Sequence, residues 1–153
     1  MTILELKLPP LIVFIMIALG MVAINTLWLP GLLPYPFNVF ASIILMLAGL
    51  ASIVLGIIGL RRAKTTPNPL RPENATALVT DGIYARTRNP IYLGLLIWLI
   101  ALSVYLINPL TYFGPFAFVF YMNRFQIMPE ERALNELFGE KFEAYKSRVG
   151  RWI

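Results

Sequence analysis

Between Thr80 and Gly94 the chain gathers Asp81, Tyr84, Arg86, Arg88, Asn89 and Tyr92 directly ahead of a long apolar run. Farther on, Glu130 and Glu131 follow Pro129, just after another apolar run. Carboxylates, guanidinium and amide donors and aromatic rings together complement an amphoteric ligand with an amine, a carboxylate, a ribose and a flat base. Each group also has a plainer use. Tyr and Arg favour the headgroup layer of a membrane without catalysing anything, and paired acids suit the first turn of a helix.

The rest of the composition narrows the chemistry. Neither Cys nor His occurs in the 153 residues. Disulfides, thiolate nucleophiles, Cys/His zinc sites and His-based triads are therefore excluded. No glycine-rich nucleotide loop follows a strand pattern. Catalysis must draw on carboxylates, Tyr, Arg, Lys or Asn, or on a cofactor with its own reactivity. The net charge of +5 is not read as nucleic-acid binding, because its placement follows membrane topology, and no metal is expected.

The elements that must position these residues are apolar. Hydrophobic residues make up 58% and charged residues 14%, a membrane-protein composition. Four stretches, about 9–29, 37–60, 91–107 and 110–125, are read as spanning helices of one membrane domain covering 1–153. Pro9 and Pro10 suit a helix's first turn. The segments Pro30–Pro36 and Asn108–Pro109 are uncharged turns, and Gly49, Gly56 and Gly59 form a packing face on the second helix. Residues 61–90 form a long polar loop that Pro67, Pro69 and Pro72 keep from being one helix.

In the tail, 126–153, Leu134, Leu137, Phe138, Phe142 and Tyr145 recur at helical spacing. They predict an amphipathic segment lying on the membrane or folded back over the helix ends. Pro129 with Glu130 and Glu131 predicts a helix start there. The fold class is thus an all-α integral membrane protein with four transmembrane helices plus a C-terminal amphipathic cytoplasmic segment. Every Lys, Arg, Asp and Glu lies in 1–8, in 61–90 or from Arg124 onward. The positive-inside rule then places both termini and the loop on the cytoplasmic side of the cell membrane.

The run Gly82-Ile83-Tyr84-Ala85-Arg86-Thr87-Arg88-Asn89-Pro90-Ile91-Tyr92-Leu93-Gly94 resembles the Gly-x-Tyr-x-x-x-Arg-His/Asn-Pro-x-Tyr-x-Gly signature of the isoprenylcysteine carboxyl methyltransferase and phospholipid methyltransferase superfamily. Glu130-Glu131-x-x-Leu134, Phe138-Gly139, Phe142, Tyr145, Val149 and Arg151-Trp152 continue the resemblance. It implies an integral membrane methyltransferase using S-adenosylmethionine, held in a cytoplasmic pocket. By motif position the cofactor contacts would be Thr76, Ala77, Leu78, Val79, Tyr84, Asn89, Pro90, Ile91, Tyr92 and Glu130, with Glu130, Glu131 and Arg88 as the catalytic set. Asn89 stands where many members have His; its amide still donates and accepts but does not titrate near neutral pH. Gly150 stands where Pro is common.

The cofactor's methyl is already activated, so binding and alignment can carry the step. An amine acceptor would need a base, for which Glu130, Glu131 or a Tyr is available. Gln126 occupies the substrate position, where isoprenylcysteine methyltransferases carry Arg. An amide lacks the bidentate charged pair with a carboxylate, and Arg124 falls on a different helix face. The expected acceptor is therefore an aminophospholipid or a small hydrophobic thiol or amine entering from the bilayer, rather than a prenylcysteine. Two other readings rank lower. An NADPH-dependent sterol-reductase type would place an acid after the motif's last Gly, where Leu95 stands. A non-enzymatic four-helix exporter would need an ionisable residue within a span.

Overall fold

A computed structural model describes residues 5–28, 35–66 and 68–153. The start at 1–4, the turn at 30–34 and Pro67 lie outside the described residues. All regular structure among those described is helical.

Two helices, α1 (Pro10–Trp28) and α2 (Pro36–Arg62), are long and apolar enough to cross a membrane. Only 17% of each apolar window is buried, and Leu19, Leu27, Phe37, Phe40 and Leu47 stand exposed. A helix at the centre of a water-filled environment's core would bury such side chains. These two leave most of their apolar surface uncovered by the rest of the chain.

The third helix, α3 (Pro90–Leu106), is apolar and, at 17 residues, shorter. It is buried far more than α1 or α2: Leu99 and Ser103 have no exposed surface. Its close partner is α2, through small residues as the glycine spacing predicts. A Cβ on Gly49 would meet Trp98 Cδ1 at 2.5 Å and Gly94 O at 2.8 Å, so the backbones touch only because both glycines lack one. Ser52 Oγ donates to Pro90 O at 2.7 Å and Trp98 Nε1 to Met46 O at 2.9 Å, fixing the register.

Ile107 closes α3 at φ 53°, and the Asn108 side chain accepts from Leu110 N at 3.0 Å. A 3₁₀ turn, Pro109–Tyr112, then leads into α4 (Phe113–Tyr121). Here the structure departs from expectation. Helix does not stop and restart at Pro129: α4 runs through a π turn (Met122–Ile127) into α5 (Met128–Phe138). Ile127, at φ −70° and ψ −45°, is itself helical. Glu130 and Glu131 therefore do not cap a free helix start, and the dipole reading of that pair is corrected. The physical reason lies at the other end of the chain. Pro129 has no N–H for Phe125 O, and that carbonyl accepts instead from Leu6 N at 3.0 Å. Glu5 secures the same strap with pairs to Arg124 (3.0 Å) and Arg132 (2.6 Å).

The tail also divides. Gly139, at φ 51° and ψ −126°, ends α5, and α6 (Glu140–Lys146) follows. The positive φ is one that side chains rarely adopt. The break turns Phe142 and Tyr145 inward, both nearly fully buried, so α6 folds back on the helix ends.

Candidate functional site

A cleft of about 540 Å³ opens where the polar loop, the start of α3, the front of α5 and α6 meet. That volume lies in the roughly 300–1,000 Å³ range of small-molecule sites. Its wall includes Ala77, Leu78, Val79, Tyr84, Asn89, Pro90, Ile91, Tyr92 and Glu130, together with Arg88 and Glu131. Of the positions expected to hold a cofactor, Thr76 alone is not in the wall. Its N–H donates to Thr65 Oγ at 3.0 Å and its Oγ to Lys64 O at 3.1 Å, which ties the loop to the end of α2.

Glu130 is the centre of the polar end. Tyr92 Oη and Gln126 Nε2 both donate to its Oε1 at 2.5 Å. Gln126 and Glu130 stand four positions apart, a spacing that puts side chains on one helix face, and the π turn Met122–Ile127, a distortion frequent at functional sites, lies just before Glu130. Burial pushes the Glu130 carboxyl up to about 7, against the pull of those two hydrogen bonds; Glu131 beside it adds to the rise. Glu130 is thus close to a neutral-pH titration, although its own side of the cleft leaves it part-exposed.

Gln126 is not in the wall. It is almost wholly buried behind Glu130, and the same Nε2 donates to Pro69 O at 2.6 Å. Arg124 points elsewhere, to Glu5, as its position on another helix face predicts.

Glu131 does different work. Its Oε1 accepts from Arg88 Nη2 (2.8 Å) and Arg151 Nε (2.9 Å), and its Oε2 from Arg151 Nη2 (2.6 Å). The hydrogen bond from Arg151 to Glu131 raises the arginine's affinity for its proton further. Arg88 also donates through Nη1 to Lys146 O at 3.1 Å. Its backbone N–H reaches Gly150 O at 3.0 Å. Arg151 O accepts from Asn89 Nδ2 (3.0 Å) and Thr87 Oγ (3.2 Å). The loop before α3 is thereby stitched to the tail. In this network Arg88 Nε is buried with no partner among the described residues.

Aromatic groups close the sides. The Tyr84 ring lies over Gly59, where a Cβ would come within 3.0 Å of it, and Tyr145 Oη donates to Tyr84 O at 2.7 Å. Burial pushes the Tyr145 phenol up to about 12, with Arg88 pulling the other way, and burial likewise raises Tyr84. Both stay neutral at physiological pH. From this end an apolar arm continues along Leu11, Ile53, Ile57, Leu95 and Trp98.

Sequence reasoning did not single out Thr65, Arg151 or Pro69 as contributors. Arg151 carried a signal, since it sits in the tail motif. Thr65 and Pro69 act through a hydroxyl and a carbonyl that no spacing announces.

Comparison with known proteins places the sequence as follows. The phospholipid methyltransferase family profile matches residues 37–141. A probable protein-S-isoprenylcysteine O-methyltransferase of Oryza sativa subsp. indica is 31% identical over 128 residues, 82% of this chain and 65% of its own. Protein-S-isoprenylcysteine O-methyltransferase B of Arabidopsis thaliana is 36% identical over 111 residues, 66% of this chain and 55% of its own. The Saccharomyces cerevisiae protein-S-isoprenylcysteine O-methyltransferase is 35% identical over 83 residues, 52% of this chain and 34% of its own. The chain thus spans 65% or less of the length of these relatives.

Proposed function

The chain belongs to the phospholipid methyltransferase family, and from that premise we propose that it is an integral membrane methyltransferase using S-adenosylmethionine. Four spans carry it, with α3 and the α4 stretch completing the bundle begun by α1 and α2, and both termini on the cytoplasmic side. The charge distribution supports that placement.

The observation that carries the reading is the pairing of unmet donors and acceptors in one cleft. Glu130 Oε2 has no hydrogen-bond partner among the described residues, and Arg88 Nε is a buried donor without an acceptor. An amino-acid moiety brings an ammonium for the first and a carboxylate for the second. Tyr84, Tyr92 and Phe142 supply flat walls for a base. The donor set therefore fits the cofactor, which supplies an already activated methyl group. Glu131 holds Arg88 in place through Oε1. Tyr92 and Gln126 hold Glu130 through Oε1 and leave Oε2 to bind, or to take a proton from an amine acceptor. The apolar arm admits the acceptor and excludes water.

The acceptor is an amphiphile, an aminophospholipid or a hydrophobic thiol or amine, reaching the cleft from the bilayer. Both hydrogens of the Gln126 amide are engaged by Glu130 and Pro69 O, so it has none to offer a prenylcysteine carboxylate. The test is calorimetry with S-adenosylhomocysteine. Glu130→Ala and Tyr92→Ala should each weaken binding about tenfold or more, while Glu136→Ala leaves it unchanged. Unchanged affinity in both, or binding of NADPH instead, refutes the site. Methyl transfer from labelled cofactor to phosphatidylethanolamine, hydrophobic thiols and prenylcysteine analogues tests the acceptor, and a strong preference for prenylcysteine overturns that part.

A further inference from the structure

Gln126 bridges the turn that carries Pro69 and the carboxylate of Glu130. Its Nε2 carries two hydrogens, and both are used: one to Glu130 Oε1 at 2.5 Å, one to Pro69 O at 2.6 Å. The side chain is 1% exposed, so water does not replace either bond. Pro69 sits in the turn that crosses the cleft between α2 and the 3₁₀ turn Pro72–Asn74, and both Asn68 and Pro69 line the wall. The turn is held internally by Leu70 N to Asn68 Oδ1 (3.0 Å) and Arg71 N to Asn68 O (3.3 Å). Pro69 O to Gln126 Nε2 is its described hydrogen bond to the helical stretch that leads into Glu130.

Two features place Gln126 where it can do this. It stands four positions before Glu130, on the same helix face, at the end of the π turn Met122–Ile127. The Leu6 N–H, donating to Phe125 O, supports the backbone beside it. We propose that Gln126 is a positioning residue that couples closure of the Asn68–Pro72 turn over the cleft to the placement of Glu130. This rests on the cleft being the cofactor site for its consequence in binding, but the coupling itself is a property of the protein alone.

The coupling has a direction. With the turn seated, one amide hydrogen is satisfied by Pro69 O and the other is held on Glu130, so Oε1 is fully occupied and Oε2 faces the ligand. With the turn lifted, the amide loses a partner that fixes its plane, and Glu130 loses its fixed donor. The charged and titratable groups around Glu130 are Tyr92 from α3, Tyr84 and Arg88 from the preceding loop, Glu131 from its own helix, and Tyr145 and Arg151 from the tail. Arg88 and Arg151 are paired with Glu131, so the direct donors to Glu130 are Tyr92 and Gln126.

The test uses Gln126→Leu, which keeps the bulk and removes both donors, beside the wild type and Gln126→Asn. Without any ligand, backbone hydrogen exchange across 68–75 should rise at least tenfold in Gln126→Leu relative to the wild type, with exchange in α2 and α3 unchanged. The pH midpoint for S-adenosylhomocysteine binding should move up by about one unit, the size expected when a charged group loses a hydrogen bond. Gln126→Asn, one methylene shorter, should restore part of either effect. Unchanged exchange over 68–75 and an unchanged midpoint overturn the proposal. Increased exchange with no cofactor binding by the wild type keeps the coupling and rejects the cofactor reading. Should Gln126→Leu fail to fold, the wild type decides: saturating S-adenosylhomocysteine must protect 68–75 and 122–130 together, and protection of one without the other overturns the proposal.

Discussion

Replacing Glu131 by Gln isolates the most heavily bonded carboxylate in the site. The residue accepts three hydrogen bonds from two arginines, at 2.6, 2.8 and 2.9 Å. Its side chain is 13% exposed, Arg88 is 10% exposed and Arg151 34%. These figures divide the loss. Arg151 can turn to water, so its share is that of a half-exposed pair, about 0–1 kcal/mol. Arg88 cannot, because Nη1 and its own backbone are tied to Lys146 O and Gly150 O. Leaving its charge uncompensated costs roughly 3–5 kcal/mol. The bond to Lys146 O and the polar amide of the substituted Gln keep the expected loss near the lower end, about 3 kcal/mol. For a chain of this size each kcal/mol moves the melting temperature by about 2–4 °C, so Glu131→Gln should melt roughly 6–12 °C lower. Thermal unfolding in detergent, followed by tryptophan fluorescence, measures it. The double substitution Glu131→Leu with Arg88→Met should recover most of the loss, since no charge is then stranded. A Glu131→Gln protein melting within about 2 °C of the wild type would show that Arg88 is solvated or otherwise paired, and would refute this division.

Glu130 sets a pH dependence. Its carboxyl is held at about 7, above the ordinary carboxylate range. A raised pKa stabilises the fold below the unfolded value, and that contribution is lost as pH rises through about 7. Without ligand the protein should therefore melt lower at pH 8 than at pH 6. On the proposed reading the ionised form holds the ligand's ammonium, so S-adenosylhomocysteine should gain affinity over the same window and release a proton on binding at the acid end; calorimetry in buffers of different ionisation heat reads both. Topology is tested by cysteines at Ser147 and Leu110, the first reacting from the cytoplasmic side and the second from the opposite side. Labelling from the same side would rule out the paired arrangement of α3 and α4.

Much of the helical framework was legible because long apolar helices write themselves in apolar runs. The bounds of α1, α2 and α3 fall within a residue or two of the stretches read from hydrophobicity, and the glycines of α2 announced the face that meets α3. The carboxylates and the Tyr84–Tyr92 run were legible as a group because their types suit no apolar neighbour. The π turn was not. Pro129 reads as a helix start because its missing N–H is free of cost there. It is equally tolerated inside a helix when the stranded carbonyl finds another donor, and here that donor is Leu6, remote in sequence. Gly139 was read within one amphipathic segment because the apolar spacing continues across it, whereas its backbone angles break the helix. Gln126 was placed at the substrate by analogy of position. Its side chain turns instead to Glu130 and to a carbonyl, and a carbonyl partner leaves no trace in sequence.

The strap that seats Leu6 on Phe125 also sets an order of assembly. Glu5 is separated from Arg124 by 119 positions and from Arg132 by 127. Glu5 and Leu6 therefore wait for their partners until the chain has been made through Arg132. Contacts that close so long a loop are slow to form and come after local helix formation. During synthesis α1 can form while Glu5 and Leu6 have nothing to grip, and the π turn ahead of Glu130 lacks its outside donor. Competence of the site would then appear abruptly, when Glu5 and Leu6 meet the Phe125–Arg132 stretch, rather than growing helix by helix.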